Sequence, residues 1–125
     1  MSDLNIVAII DDDESILAAM SGLIRSLDYH ASSFQSAEDF LASDVVETAG
    51  CVITDIQMPG MDGFALQHRL CTLKPDLPVV MMTAIVADAL EIRAMAAGVR
   101  NFFRKPVSGD RLAECLAAIF SAKMI

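Results

Sequence analysis

Cys51-Val52-Ile53-Thr54-Asp55-Ile56-Gln57-Met58-Pro59-Gly60-Met61-Asp62-Gly63 is the stretch whose reading decides the fold of this chain. Its first residues are an apolar run of strand length. Asp55 sets a carboxylate where that run stops, and Met58 to Gly63 has the composition of a turn-rich loop. Open α/β sheets bind ligands at the carboxyl edge of their strands. The same order recurs elsewhere. Ile6-Val7-Ala8-Ile9-Ile10 stops at Asp11-Asp12-Asp13-Glu14, Val79-Val80-Met81-Met82 at Thr83-Ala84, and Asn101-Phe102-Phe103-Arg104 at Lys105-Pro106. If these strands are parallel, their polar ends converge on one site.

Helical periodicity fills the intervals. Ile16, Leu17, Met20, Leu23, Ile24 and Leu27 recur at helical spacing, and Asp28-Tyr29 ends that segment. Tyr29 to Phe34 reads as a weaker second strand. Ser36 is the expected N-cap of a short helix with Asp39 three residues on, and Asp44 to Gly50 reads as a polar connection. Leu66, Leu70 and Leu73 line one face of a helix that Lys74-Pro75 terminates. Ala87 to Ala97 is a further helix stopped by Gly98, and Leu112, Cys115, Leu116, Ile119 and Phe120 mark the last. Alternation of strand and helix implies a parallel sheet with right-handed crossovers and helices on both faces.

Composition bounds the function. A chain of 125 residues is one domain with a core of its own, and 54% hydrophobic against 21% charged residues excludes a disordered chain. The net charge of −8 leaves no electrostatic footprint for nucleic acid, so direct binding of DNA or RNA by this domain is not expected. The first basic residue is Arg25, which rules out a charged secretory n-region at Met1-Ser2-Asp3, and no apolar run approaches the length of a membrane span. Cys51, Cys71 and Cys115 are odd in number and isolated, as expected of reduced core thiols in a cytoplasmic protein. His30 and His68 have no partner at a functional spacing and read as ordinary surface or half-buried residues.

The acids carry the chemistry. Asp11, Asp12 and Asp55 come together if the first and third strands are neighbours. Two carboxylates about 5 Å apart repel by roughly 3 kcal/mol at an effective dielectric near 20. Lys105 can neutralise one such charge. A hard divalent cation answers the rest, and a small set of oxygen ligands suits Mg2+ with several retained waters. Taken alone, Asp11 to Glu14 would be an acid-enriched helix N-terminus, and Asp13 and Glu14 are assigned that structural role. Asp62-Gly63 reads as turn and helix entry rather than ligand. Pro106 biases Lys105 toward an extended backbone that aims its side chain over the sheet edge. The small Ala84 beside Thr83 leaves that edge accessible.

Together, Ile9-Ile10-Asp11-Asp12-Asp13, Asp55 through Gly63, Met82-Thr83-Ala84, Ala97-Gly98 and Phe103-Arg104-Lys105-Pro106 resemble the receiver domain of two-component response regulators, of the chemotaxis-regulator type. The similarity covers essentially the whole chain, so residues 1–125 are expected to form one receiver domain. It implies a flavodoxin-like (βα)5 sandwich with a five-stranded parallel sheet of order 2-1-3-4-5. By matching position it makes Asp55 the phospho-acceptor, Asp12 a direct Mg2+ ligand, Asp11 a ligand mostly through water, and the Gln57 carbonyl a further ligand. Thr83 and Lys105 would contact the phosphoryl oxygens. Phe102, where tyrosine is frequent, would be the switch aromatic that rotates inward as Thr83 moves. Asp28 stands where glycine is common, a poorer fit to a left-handed cap.

The function so implied is a switch that takes a phosphoryl group from a histidine kinase or phosphotransfer protein, then loses it by self-catalysed hydrolysis, rather than a turnover enzyme. Arg93, Arg100, Arg104 and Arg111, near Asp88, Glu91, Asp110 and Glu114, give one face a mixed charge suited to a phosphorylation-favoured homodimer. The pattern around Ser36 to Leu41 is similar to receivers that precede a LuxR-type helix-turn-helix. No effector follows Ile125, so the chain reads as a stand-alone receiver or as one whose output domain lies outside it. A rival reading comes from Asp11-x-Asp13, which resembles the nucleophile loop of haloacid-dehalogenase-type phosphatases, with Asp11 as nucleophile and Asp13 as acid/base. That reading leaves Asp55 unexplained and the chain without room for the usual cap.

Overall fold

The structure, a computed structural model, describes residues 5–122. In chain order the elements are β1 (Ile6–Ile10), α1 (Glu14–Ser26), β2 (His30–Phe34), α2 (Ala37–Leu41), α3 (Val45–Thr48), β3 (Cys51–Asp55), α4 (Gly63–Leu73), β4 (Val79–Thr83), α5 (Asp88–Ala96), β5 (Asn101–Arg104) and α6 (Gly109–Ala122). The strands form one parallel sheet of order β2-β1-β3-β4-β5.

Burial explains that order. Every residue of β3 and β4 is buried, as is all of β1 after Ile6, so the continuous apolar runs occupy the centre, where both faces are covered. The more polar β2, His30-Ala31-Ser32-Ser33-Phe34, lies at an edge. Alternation along each strand then divides the core. Val7, Ile9, Ile53, Val80, Met82 and Phe103 pack with Leu17, Met20 and Ile24 of α1 and with Leu112, Leu116 and Ile119 of α6. Ala8, Ile10, Val52, Met81 and Phe102 pack on the other face with Phe40 of α2, Leu66 and Leu70 of α4, and Ala94 of α5.

The expected caps are formed. Ser36 Oγ accepts from Asp39 N at 3.0 Å. Asp62 caps α4 by accepting from Ala65 N at 2.8 Å. Asp28 has φ +70°, and its neighbours make the paired bonds of a left-handed cap: Tyr29 N donates to Ile24 O at 3.2 Å and Asp28 N to Arg25 O at 3.0 Å. Gly98, at φ +92°, ends α5 with the same pair, Val99 N to Ala94 O and Gly98 N to Met95 O.

Three expectations need correction. The segment Asp44 to Gly50 is not merely a polar connection: Val45–Thr48 is the short helix α3, and Val45 and Val46 pack against the core beside Phe40. Four residues are too few for periodicity to register. Cys71 is exposed, unlike the buried Cys51 and Cys115, because it lies on the solvent side of α4 between the buried Leu70 and the helix end. Leu73 shares the phase of Leu66 and Leu70 but is 51% exposed: at the last residue of α4 it meets only a shallow depression with Ala49, Lys74 and Leu77.

Candidate functional site

Strand register builds the site. Ile10 pairs with Thr54, so Asp11 and Asp55 leave neighbouring strands at the same level. Asp55 pairs with Met82, which sets Thr83 one residue further along the next strand. Thr83 pairs with Arg104, and Lys105 N donates to Thr83 O at 2.8 Å, so Lys105 completes the row. Gly63 brings α4 against this edge: a Cβ there would stand 2.7 Å from Asp55 O and 3.0 Å from Ile56 Cα, so only glycine lets the helix begin so close to the strand end. The turn reading of Gly63 missed this close approach.

Carboxylate oxygens of Asp11, Asp12 and Asp55 lie within 4.8 Å of one another. Asp11 and Asp55 are buried and Asp12 is exposed. Lys105 Nζ donates to Asp11 Oδ2 at 2.6 Å and stands 3.4 Å from Asp55 Oδ2. Asp11 Oδ1 also accepts from Asp13 N at 3.0 Å. Both Asp11 oxygens are thus engaged by protein donors, which leaves Asp12 and Asp55 freer to take a cation directly. Burial, and then the charge of Asp11, push the Asp55 carboxyl above its ordinary range, with Lys105 opposing them. For Lys105 burial works to lower the pKa, but its bonds and attraction to Asp11 and Asp55 outweigh it and the ammonium is held more firmly than usual. One lysine among three carboxylates leaves an uncompensated negative charge, and an all-oxygen donor set of this kind fits Mg2+.

The remaining predicted residues are placed as follows. Gln57 is exposed at the start of the loop after Asp55. Thr83 is 1% exposed, and its Oγ1 accepts from Ile85 N at 3.1 Å, which leaves its own O–H free to donate. Ala84 is exposed, so the edge beside Thr83 is open. Phe102 pairs with Met81, inside the sheet edge, and is already buried in the core, so the inward rotation expected of it does not begin from an exposed ring. Asp13 lies outside the carboxylate cluster: its Oδ1 caps α1, accepting from Ser15 N at 2.8 Å and Ile16 N at 3.4 Å. A hydrolase mechanism that needs Asp13 as acid/base is not favoured by this arrangement. His30 and His68 are exposed surface residues. Gln67, to which the sequence drew no attention, is buried and donates from Nε2 to Ala97 O at 3.0 Å, tying α4 to the end of α5.

Comparison with known proteins decides the family. The family model described as the response regulator receiver domain matches residues 7–117. The chain belongs to that family. This receiver is 39% identical over 114 residues to the C4-dicarboxylate transport transcriptional regulatory protein DctD of Rhizobium meliloti, covering 91% of this chain and 25% of that protein. It is 35% identical over 120 residues to the response regulator protein TodT of Pseudomonas putida, covering 94% of this chain and 52% of that one. The receiver thus spans between a quarter and about half of the length of these curated relatives. In three dimensions it is similar to a response regulator receiver domain protein from Clostridium thermocellum, with TM-score 0.89, 24% identity and coverage of 97% of this chain and 98% of that one, a likeness of fold. The sheet order and flanking helices are those of the flavodoxin-like receiver fold. Receivers of this family serve two-component response regulators, meet histidine kinases, and bind Mg2+ at an acidic pocket; they are generally not turnover enzymes. Among the described residues no helix is long and apolar enough to cross a membrane.

Proposed function

We propose that this receiver accepts a phosphoryl group on Asp55 from a phosphohistidine of a histidine kinase or phosphotransfer protein. The observation that carries the reading is a buried carboxylate at the end of β3, grouped with Asp11 and Asp12 and flanked by the Lys105 ammonium 3.4 Å away. An Asp55 oxygen attacks the phosphorus, a P–O bond forms, and the P–N bond breaks with its electron pair returning to the imidazole. Lys105 stabilises charge on the transferred oxygens, and the free Thr83 O–H donates to one of them. Asp12 and Asp55 would hold Mg2+ directly, the Gln57 carbonyl would add a ligand, and Asp11 would act mostly through water. Bound there, the cation would neutralise the carboxylates and the equatorial oxygens of the transferred group. Water attack on the acyl phosphate later restores Asp55, so the domain is consumed and regenerated as a switch.

The output we infer is a rearrangement of the face formed by α5, β5 and α6, led by Thr83 and transmitted past Phe102, that favours a homodimer. Residues 1–125 would act as one receiver unit. An odd number of isolated cysteines, Cys51, Cys71 and Cys115, fits a cytoplasmic setting. The test of the acceptor is intact-mass spectrometry after incubation with acetyl phosphate. Wild type should gain one phosphoryl group only when Mg2+ is present, and Asp55→Asn none. An equal adduct on the variant would overturn the assignment.

A further inference from the structure

The loop between β3 and α4 is fastened at both ends by the main chain. Ile56 N donates to Met82 O at 3.0 Å, and Gly63 N donates to Ile56 O at 2.8 Å. Between these points lie Gln57 and the Pro59-Gly60 turn, which the ends alone do not fix. A third fastening comes from 23 residues upstream: Glu38 Oε2 accepts from Met61 N at 3.0 Å. Glu38 sits in the first turn of α2, which Ser36 caps and which the fully buried Ala37 and Phe40 anchor to the sheet. The loop is shaped to receive this carboxylate. Gly60 has φ +76°, and a Cβ on it would stand 2.6 Å from Glu38 Oε2. The Met61 amide also holds the Glu38 carboxyl below its ordinary range, as expected of an ionised acceptor.

We propose that Glu38 is a positioning residue for the cation and phosphoryl site, acting through the Met61 amide to hold the loop that carries Gln57. The inference rests on the proposed reading of Asp55 and its neighbours as that site. Glu38 touches neither the cation nor the phosphoryl group. It removes the freedom of the loop middle, so that the Gln57 carbonyl is presented without an ordering cost when the cation binds. Gly60 serves the same end, since its missing side chain is the space the Glu38 carboxylate occupies.

The experiment uses Glu38→Ala, Glu38→Gln and Gly60→Ala beside wild type. Two quantities are read by NMR: amide exchange of Met61 without metal, and Mg2+ affinity by titration. Glu38→Ala should speed Met61 exchange and weaken Mg2+ binding by roughly three- to ten-fold each, the equilibrium factor of one lost hydrogen bond. Glu38→Gln keeps a carbonyl acceptor and should restore both to within about two-fold of wild type. Gly60→Ala should weaken binding on its own and cost less in the Glu38→Ala background, because part of its effect is the displaced carboxylate. Unchanged Mg2+ affinity in Glu38→Ala would overturn the inference, and so would a loss in Glu38→Gln equal to that in Glu38→Ala, which would make the effect one of net charge. Either result, with wild type still forming its Mg2+-dependent adduct, leaves the function of Asp55 standing. Wild type that bound no Mg2+ would bring down that reading and the inference with it.

Discussion

Asp12 and Asp13 are adjacent in sequence and differ in work. The Asp12 carboxylate is exposed and grouped with Asp11 and Asp55, whereas Asp13 turns to the amides of Ser15 and Ile16. Asp12→Ala should therefore lose most Mg2+ affinity with little change in metal-free stability. Asp13→Ala should keep the affinity and lose about 1 kcal/mol of stability, the usual worth of an N-cap. Mg2+ titration and urea denaturation of both variants separate the roles, and equal losses of affinity would contradict them. Asp55 sets a second test. Its carboxyl is raised by burial and by Asp11, so the folded state binds that proton more tightly than the unfolded chain does. Stability is then lost as pH rises from the ordinary carboxylate range through the raised folded value. Asp55→Asn removes the repelled charge and should be more stable than wild type at pH 7 without metal, on the order of 1 kcal/mol after the offset from Lys105. The gain should vanish near pH 3, where both states of wild type are protonated, and should shrink when Mg2+ stabilises wild type. Denaturation curves at both pH values, with and without Mg2+, check this.

At the scale of elements, the end of α1 is the weakest fit between sequence and backbone. Asp28 occupies the left-handed position of a cap whose paired bonds to Ile24 O and Arg25 O are both made. Asp28→Gly keeps those bonds and removes the Cβ penalty, so stability should rise by about 1 kcal/mol. A fall in the denaturation midpoint would show that the Asp28 side chain contributes something the backbone does not reveal. The elements also show how far the sequence was legible. The central strands were plain as continuous apolar runs, and caps such as Ser36 and Gly98 announced their helices through local chemistry. The grouping of Asp11, Asp12, Asp55 and Lys105 was legible because parallel strands bring like ends together. What stayed hidden is what depends on contact at a distance. The four residues of α3 are held by packing of Val45 and Val46 rather than by a pattern of their own. The carboxylate of Glu38 meets the Met61 amide across 23 residues of chain, and Gly63 is required by the approach of α4 to Asp55, which no turn signature encodes.

At the scale of the whole molecule, the proposed phosphorylation of Asp55 would have to act on a surface that a partner can read. The sequence pointed to a mixed-charge face, and its charged residues, among them Asp88, Glu91, Arg93, Arg100 and Arg111, are exposed. Arg104 is already paired within the chain to Asp88 at 3.1 Å, and Arg93 lies over the Phe64 ring at 3.8 Å, toward α4. Beside the exposed Asp88, Glu91 and Arg93, α5 and the segment before it also present apolar side chains to solvent: Val86 is 77% exposed, Ile92 70% and Met95 49%, while Ala94 is the only buried residue of α5. A two-fold contact on this face would have an apolar centre along α5 and Arg111, which reaches back over Phe103 at 5.9 Å, at its side. Moving the equilibrium from mostly one state to mostly the other needs a bias of about 5 kcal/mol, within reach of a few charge-assisted hydrogen bonds at Asp55. Sedimentation velocity with Mg2+ and beryllofluoride should therefore shift wild type from monomer toward dimer. Ile92→Glu should stay monomeric, because burying an unpaired charge at the centre of the contact is costly, and Arg111→Glu should weaken the shift. All three should behave alike without the phosphoryl mimic. Wild type that remained monomeric at high micromolar concentration with the mimic bound would sink the dimer, and the exposed stripe on α5 would then have to face a different protein.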